Sequence, residues 1–362
     1  MSDLYLTLLG VRYVMKRLLY EKQNRLILFS IGLLIFSFFI SMISLSSGVY
    51  HIDLQDVFSV LFLNSQQDSL NHSIILDIRL PRIILSFCVG IALAVSGAVM
   101  QGLFRNPLAD PAILGVSAGA ALGAVIPISL TIHSIHVLIV PIFSFTGGLI
   151  ASGFVYLIYL ATGKKSSAVL LLSGIAIGTF LNSLITLTVY LSGNPFQMQA
   201  IFMWLIGGFE ATRWDHVFTC LPVVILSTVF LTIKSKDINP IMISDEYAAS
   251  LGINVKRTFL ICLIFATLAT SVAVSVSGIL AFVGLVIPHV VRLFLGSDNR
   301  LVIPVSALTG GFFILSMDYL ARIFFSSTDF RVGVLMSLIG GPFFIFLIFK
   351  NNFNLRRRNE IS

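Results

Sequence analysis

Charge is missing from long stretches of this 362-residue chain. Asp, Glu, Lys and Arg are absent from 26–52, 83–104, 111–163, 166–209, 216–233, 258–291, 301–317 and 332–349. A soluble domain carries about 25% charged residues. Here the share is 11%, with 57% hydrophobic residues and a mean hydropathy of +0.99. A helix crosses the hydrocarbon core with roughly 20 mostly apolar residues, so the runs predict an all-α polytopic membrane protein. Run 111–163 holds two spans, split near 131–136. Run 258–291 holds two shorter ones, split near 275–278. Run 166–209 holds one span to about Leu191, then Gly193-Asn194-Pro195 and a short amphipathic piece, 196–206, expected along the interface. The total is ten helices, which places both termini on one side.

Lys and Arg decide which side. With an inside N-terminus, only Arg79, Arg82, Arg213, Arg322 and Arg331 of the 23 basic residues fall outside. The reverse would translocate all the others, against the positive-inside rule. The same rule accounts for the formal charge of +7 without invoking nucleic acid. Three parts follow: a basic cytoplasmic segment 1–25, a membrane domain 26–350, and a basic cytoplasmic tail 351–362. Span 26–45 is too long for a signal peptide and lacks a cleavage site, so it reads as a retained helix. Cys88, Cys220 and Cys262 sit in apolar runs without metal-like spacing and read as small packing residues.

Segment 96–120, SGAVMQGLFRNPLADPAILGVSAGA, places a polar knot (Arg105, Asn106, Asp110) between two small-residue runs. Pro107 and Pro111 break any single helix through it. Asp110 before Pro111 is a helix start, a side-chain acceptor followed by a preset φ. The small residues on either side permit close helix approach in lipid. Mid-depth ionisable groups, which an ion-coupled carrier needs, are confined to His289 and Asp318, each expected to be a satisfied packing or pore-lining group. Outside, segment 46–80 ends in Asp77-Ile-Arg79-Leu-Pro81-Arg82, and 194–215 carries Trp204 and Trp214 at belt depth. Segment 279–300 predicts a helix broken by Pro288, and Gly340-Gly341-Pro342 is expected to interrupt the last span.

The inside loop 235–257 holds a short helix. Ser244 is its cap, Asp245 and Glu246 occupy the first turn where the helix dipole favours anions, and Gly252 ends it. So short a helix is unstable alone in water. Tyr247, Leu251 and Ile253 offer a surface to a partner.

Five stretches carry a resemblance over residues 75–348: Arg79-Leu-Pro-Arg82, the 96–120 segment, DEYAASLGI, AFVGLVIPHVVRL (281–293) and LIGGPFF (338–344). Together they resemble the FecCD/BtuC-type permease subunits of binding-protein-dependent ABC importers for iron chelates, haem and vitamin B12. The resemblance implies a ten-helix subunit of the bacterial inner membrane that works as a two-fold homodimer. Its implied partners are two cytoplasmic ABC ATPase subunits and a periplasmic or lipid-anchored substrate-binding protein. It implies ATPase coupling by Ser244, Asp245, Glu246, Tyr247, Ala248, Leu251 and Gly252. It implies binding-protein docking by Arg79, Arg82 and Arg322, and a cytoplasmic gate of Asn106, Leu108, Ser166 and Ser167. The chain departs from the family at Asp329-Phe330-Arg331, where Glu-Leu-Pro is usual. Trp204…Gly207-Gly208-Phe209 is closer to the vitamin B12 type.

No phosphate-binding loop is present: Thr162-Gly163-Lys164-Lys165-Ser166 lacks the earlier glycine, since position 158 is Ile158. The expectation is a transport subunit with no cofactor and no metal of its own, using ATP-Mg hydrolysed on the ATPase chain. An ion-driven secondary carrier is the second reading. An intramembrane scaffold or enzyme is the third.

Overall fold

The computed structural model describes residues 27–63, 69–162, 167–324 and 330–359. Among these, every regular element is helical. Thirteen α-helices run in order: α1 Ile27–Ser46, α2 Leu54–Phe62, α3 Leu70–Leu103, α4 Val116–Ser129, α5 Ile139–Ala161, α6 Ser167–Ser192, α7 Pro195–Ile206, α8 Trp214–Ile243, α9 Asp245–Ser250, α10 Val255–Ser277, α11 Val283–Leu295, α12 Asn299–Phe324 and α13 Val332–Asn359. Seven are long and apolar enough to cross a membrane. Segment 1–25 lies outside the described residues, and α13 continues the last span into the tail as far as Asn359.

Helix α3 is the centre. Of its apolar window 83% is buried, against 11% for α1 and 22% for α6. Helices α8, α10, α11 and α12 pack around it. Its glycines make this possible, because a Cβ at Gly90 would stand 2.1 Å from the Gly310 carbonyl oxygen, and one at Gly97 only 1.9 Å from that of Gly284. In lipid, such backbone-to-backbone approach replaces the hydrophobic drive that water supplies. Phe36, Phe39, Leu172, Phe180 and Phe218 face outward on the rim, the pattern expected where the surroundings are apolar. Cys88, Cys220 and Cys262 are free and buried, as small packing residues should be.

The break between the spans of run 111–163 falls at 130–138, where it was expected. Four other expectations are corrected. Arg79 and Arg82 do not end a loop; α3 runs through both, with a π-helical turn at Ile74–Arg79. That turn is fixed from outside, because the Trp214 indole donates to the Leu76 carbonyl at 2.9 Å. Most of the inside loop 235–257 is helical, since α8 extends to Ile243 through Pro240. Pro288 does not break its helix but lies within α11. Its missing N–H would orphan the Gly284 carbonyl four residues back; Gln101 Nε2 donates there at 3.4 Å and to Leu285 O at 3.1 Å. Pro342 likewise lies inside α13, so Gly340-Gly341-Pro342 does not interrupt it.

The break within run 258–291 falls at 278–282, beside the expected split at 275–278. Gly278 and Phe282 both take positive φ, +69° and +67°, and Phe282 is in the left-handed helical region. For a bulky residue such as Phe282 that is a strained position. It is held by Gly340, where a Cβ would stand 2.4 Å from the Phe282 ring, and by Gly208 N–H donating to Ser277 O at 2.7 Å. The Gly333 N–H donates to Gly207 O at 3.2 Å, so two unwound stretches and the first turn of α13 brace one another.

Candidate coupling, gate and outer charge sites

Two polar clusters lie at opposite ends of α3. Toward the N-terminal end Asp318, fully buried on α12, accepts from Arg82 Nε at 3.0 Å and Nη2 at 2.7 Å. Arg322 Nε stands 3.6 Å away, on the same carboxylate. Arg82 also reaches Glu210 at 3.5 Å, and Glu210 pairs with Arg331 at 3.3 Å. The result is an alternating chain, Arg322–Asp318–Arg82–Glu210–Arg331, tying α3, α12, the 207–213 loop and the start of α13. Arg331, the charge that replaces the family's proline, thus has an acidic partner. Asp329 lies outside the described residues.

The remaining donors of this cluster close α1. A helix leaves its last four carbonyls without partners, and a cation at that end is favoured by the dipole. Arg79 donates to Leu45 O, Ser46 O (3.1 Å) and Tyr50 O, and Arg322 to Ser44 O (3.4 Å), the Ser44 hydroxyl and Ser47 O (3.4 Å). Arg79 is 6% exposed. The three arginines expected to dock a binding protein, Arg79, Arg82 and Arg322, are thus engaged within the chain. Arg79 is buried and caps a helix, and Arg82 and Arg322 are held by internal acceptors.

At the C-terminal end of α3, α9 is built as its sequence predicts. Ser244 Oγ accepts from Tyr247 N–H at 3.0 Å. Gly252, at φ +80°, donates to Ala249 O, and Ile253 N–H donates to Ala248 O at 3.1 Å. That pair of bonds is a Schellman closure. Both ends of a six-residue helix are thus satisfied. Ala248 is buried against α8, while Asp245, Glu246, Tyr247, Leu251 and Gly252 are exposed. The Glu246 carboxyl is held below its usual range by hydrogen bonds from its own amide and from Ser244, with the Arg105 charge adding to this. Removing the cap with Ser244→Ala should cost about 1 kcal/mol, read as roughly fivefold faster amide exchange across 245–250.

The polar knot sits beside this helix. Asp110 does cap a turn, accepting from Ala112 N–H at 2.8 Å, but the turn is 3₁₀, Pro111–Leu114. Gly115, at φ +73°, then redirects the chain into α4. Asn106 Oδ1 accepts from Leu108 N–H at 3.0 Å, which makes the reversal compact. Asn106, Ala109, Asp110 and Ile113 line one narrow crevice with Leu170 and Leu171 of α6. The two segments expected to form a gate therefore lie side by side, although Ser166 lies outside the described residues and only the backbone of Ser167 is within them. Arg105 was not among the expected site residues. Its side chain donates to Ile241 O at 2.6 Å and pairs with the Asp245 carboxylate. A basic residue at the lip of a reversal was the available signal, but its partner lies 140 positions away.

Residues 33–350 match the FecCD transport family. The chain belongs to that family. Among FecCD relatives, it is 44% identical to the cobalamin import system permease protein BtuC of Halobacterium salinarum over 271 residues, 75% of this chain and 72% of that protein. It is 36% identical to the hemin transport system permease protein HmuU of Yersinia pestis, covering 84% and 90%. A solved metal-chelate type ABC transporter in an inward-facing conformation superposes with a TM-score of 0.78 at 28% identity, covering 89% of this chain and 98% of that one.

Proposed function

We propose that this FecCD chain is the permease subunit of an ATP-driven importer that carries a metal chelate (ferric siderophore, haem or vitamin B12) into the cytoplasm. The observation that carries the mechanism is α9: a helix too short to stand alone, closed at both ends, with Tyr247 and Leu251 45% and 56% exposed. A separate ABC ATPase grips that surface and supplies the hydrolysis. Two copies pair around the path, two ATPases bind inside, and a substrate-binding protein docks outside. The seven long helices with α4, α11 and Val332–Phe346 make ten crossings, with both termini in the cytoplasm and the subunit in the inner membrane. The relatives' named cargoes support a bulky chelate as the substrate class.

The experiment is pull-down and reconstitution with the cognate ATPase. Tyr247→Ala with Leu251→Ala should weaken ATPase binding at least tenfold, because exposed aromatic anchors dominate such contacts. ATP-driven uptake should fall in parallel while the purified subunit melts normally. Undiminished ATPase binding by this double variant counts against α9 as the contact.

A further inference from the structure

The joint between α8 and α9 is a single residue, Ser244. The Arg105 guanidinium straddles it. Nε donates to Ile241 O in the last turn of α8 at 2.6 Å, and Nη2 pairs with Asp245, the first residue of α9. The cation sits where the C-terminal carbonyls of α8 favour it, and its fork fixes direction as well as distance. The main chain at Arg105 is equally constrained, since φ is +52° at a non-glycine residue. From there Asn106 N–H donates to Gln101 O at 3.2 Å and Ala109 N–H to Asn106 O at 3.1 Å. The reversal is therefore one small rigid body with Arg105 at its edge. Its other edge presses on α6: a Cβ at Gly174 would stand 1.7 Å from Ile113 O.

We infer that Arg105 is the strut that carries movement of the docking helix into the gate reversal. The inference rests on the reading of α9 as the ATPase contact. A push on α9 enters at Asp245, passes through the guanidinium into the Asn106–Leu108 turn, and arrives at Leu170 and Leu171 across the crevice. Cutting the strut disconnects the motor from the gate without removing either. Arg105 and Asp245 side chains are 40% and 62% exposed, and ion pairs of that exposure contribute 1 kcal/mol or less. Variants at these positions therefore fold, and their effect is read in coupling, not in stability.

The test uses the complete complex in proteoliposomes: permease pair, ATPases and binding protein. Radiolabelled cobalamin is the first probe, with hemin and ferric dicitrate in parallel. Arg105→Ala should leave ATP hydrolysis within twofold of wild type and cut molecules imported per ATP at least tenfold. Arg105→Asp combined with Asp245→Arg should restore at least half of the wild-type ratio. Arg105→Lys, which keeps the charge but loses the fork, should fall between. A second readout needs no cargo. A cysteine pair at 105 and 245 should be bridged in the resting complex by a short bifunctional thiol reagent that takes the place of the arginine stem, and the native cysteines, all buried, leave a low background. An unchanged import ratio in Arg105→Ala overturns the inference, and so does failure of the charge swap to rescue. No ATP-driven uptake of any probe by the wild-type complex overturns the importer reading itself, and the strut with it.

Discussion

Asp318→Ala is expected to destabilise the folded chain by about 3–5 kcal/mol, because removing one member of a buried ionic cluster leaves uncompensated charge behind. Asp318 is fully buried, and its two partners are only 14% and 16% exposed. Two guanidiniums would be left facing each other at this end of the bundle. Arg322 would keep its Ser44 and Ser47 carbonyls, but Arg82 would keep only the 3.5 Å contact to Glu210. The measurement is thermal melting of the purified subunit in detergent, with yield from the membrane fraction as a second reading. The double variant Asp318→Leu with Arg82→Met should recover at least half of the loss, since hydrophobic replacement of both partners is often neutral. A melting curve for Asp318→Ala that overlays wild type would show that the cluster contributes nothing to stability.

The outer cluster also marks where the sequence was hard to read. Features set by neighbours in the chain were legible. The Ser244 cap, the Gly252 stop and the Asp110 cap each need only a side-chain acceptor or a glycine at the right offset, and each is present. Features set by distant partners were not. Arg79 and Arg82 break the apolar run before residue 83 and so look like loop, yet Arg79 closes a helix that ends more than thirty residues earlier. Pro288 is a helix breaker by its chemistry, but Gln101, from the last turn of α3, takes the carbonyl it frees. The split near 275–278 was legible, but the left-handed Phe282 that shapes the break is not announced by its residue type. Nor does Arg105 declare its acid, since Asp245 comes within reach only after five intervening helices have packed.

Gly97→Ala is expected to be the most damaging addition of one methyl group. Overpacking a tight core costs about 1–3 kcal/mol and occasionally more, and at Gly97 a Cβ would meet three backbone atoms within 2.4 Å. Its Cβ would meet the Gly284 carbonyl oxygen at 1.9 Å and carbon at 2.4 Å. These are backbone atoms at the start of α11, so no flexible side chain can give way. The helix itself must move, and α11 carries Arg292, which donates to Ala98 O at 3.1 Å and to Asn299 Oδ1 at 3.1 Å. Displacing α11 therefore strains α3 and α12 together. A loss of about 3 kcal/mol or more in unfolding of the detergent-solubilised subunit is expected, with ATP-driven uptake lost alongside it. Gly153→Ala in α5 supplies the control, since nothing lies within 4 Å of a Cβ there. That variant should change stability by less than about 1 kcal/mol, in the direction of helix propensity. Equal effects at the two positions would mean that the backbone contact between α3 and α11 does not decide how closely the central helices pack.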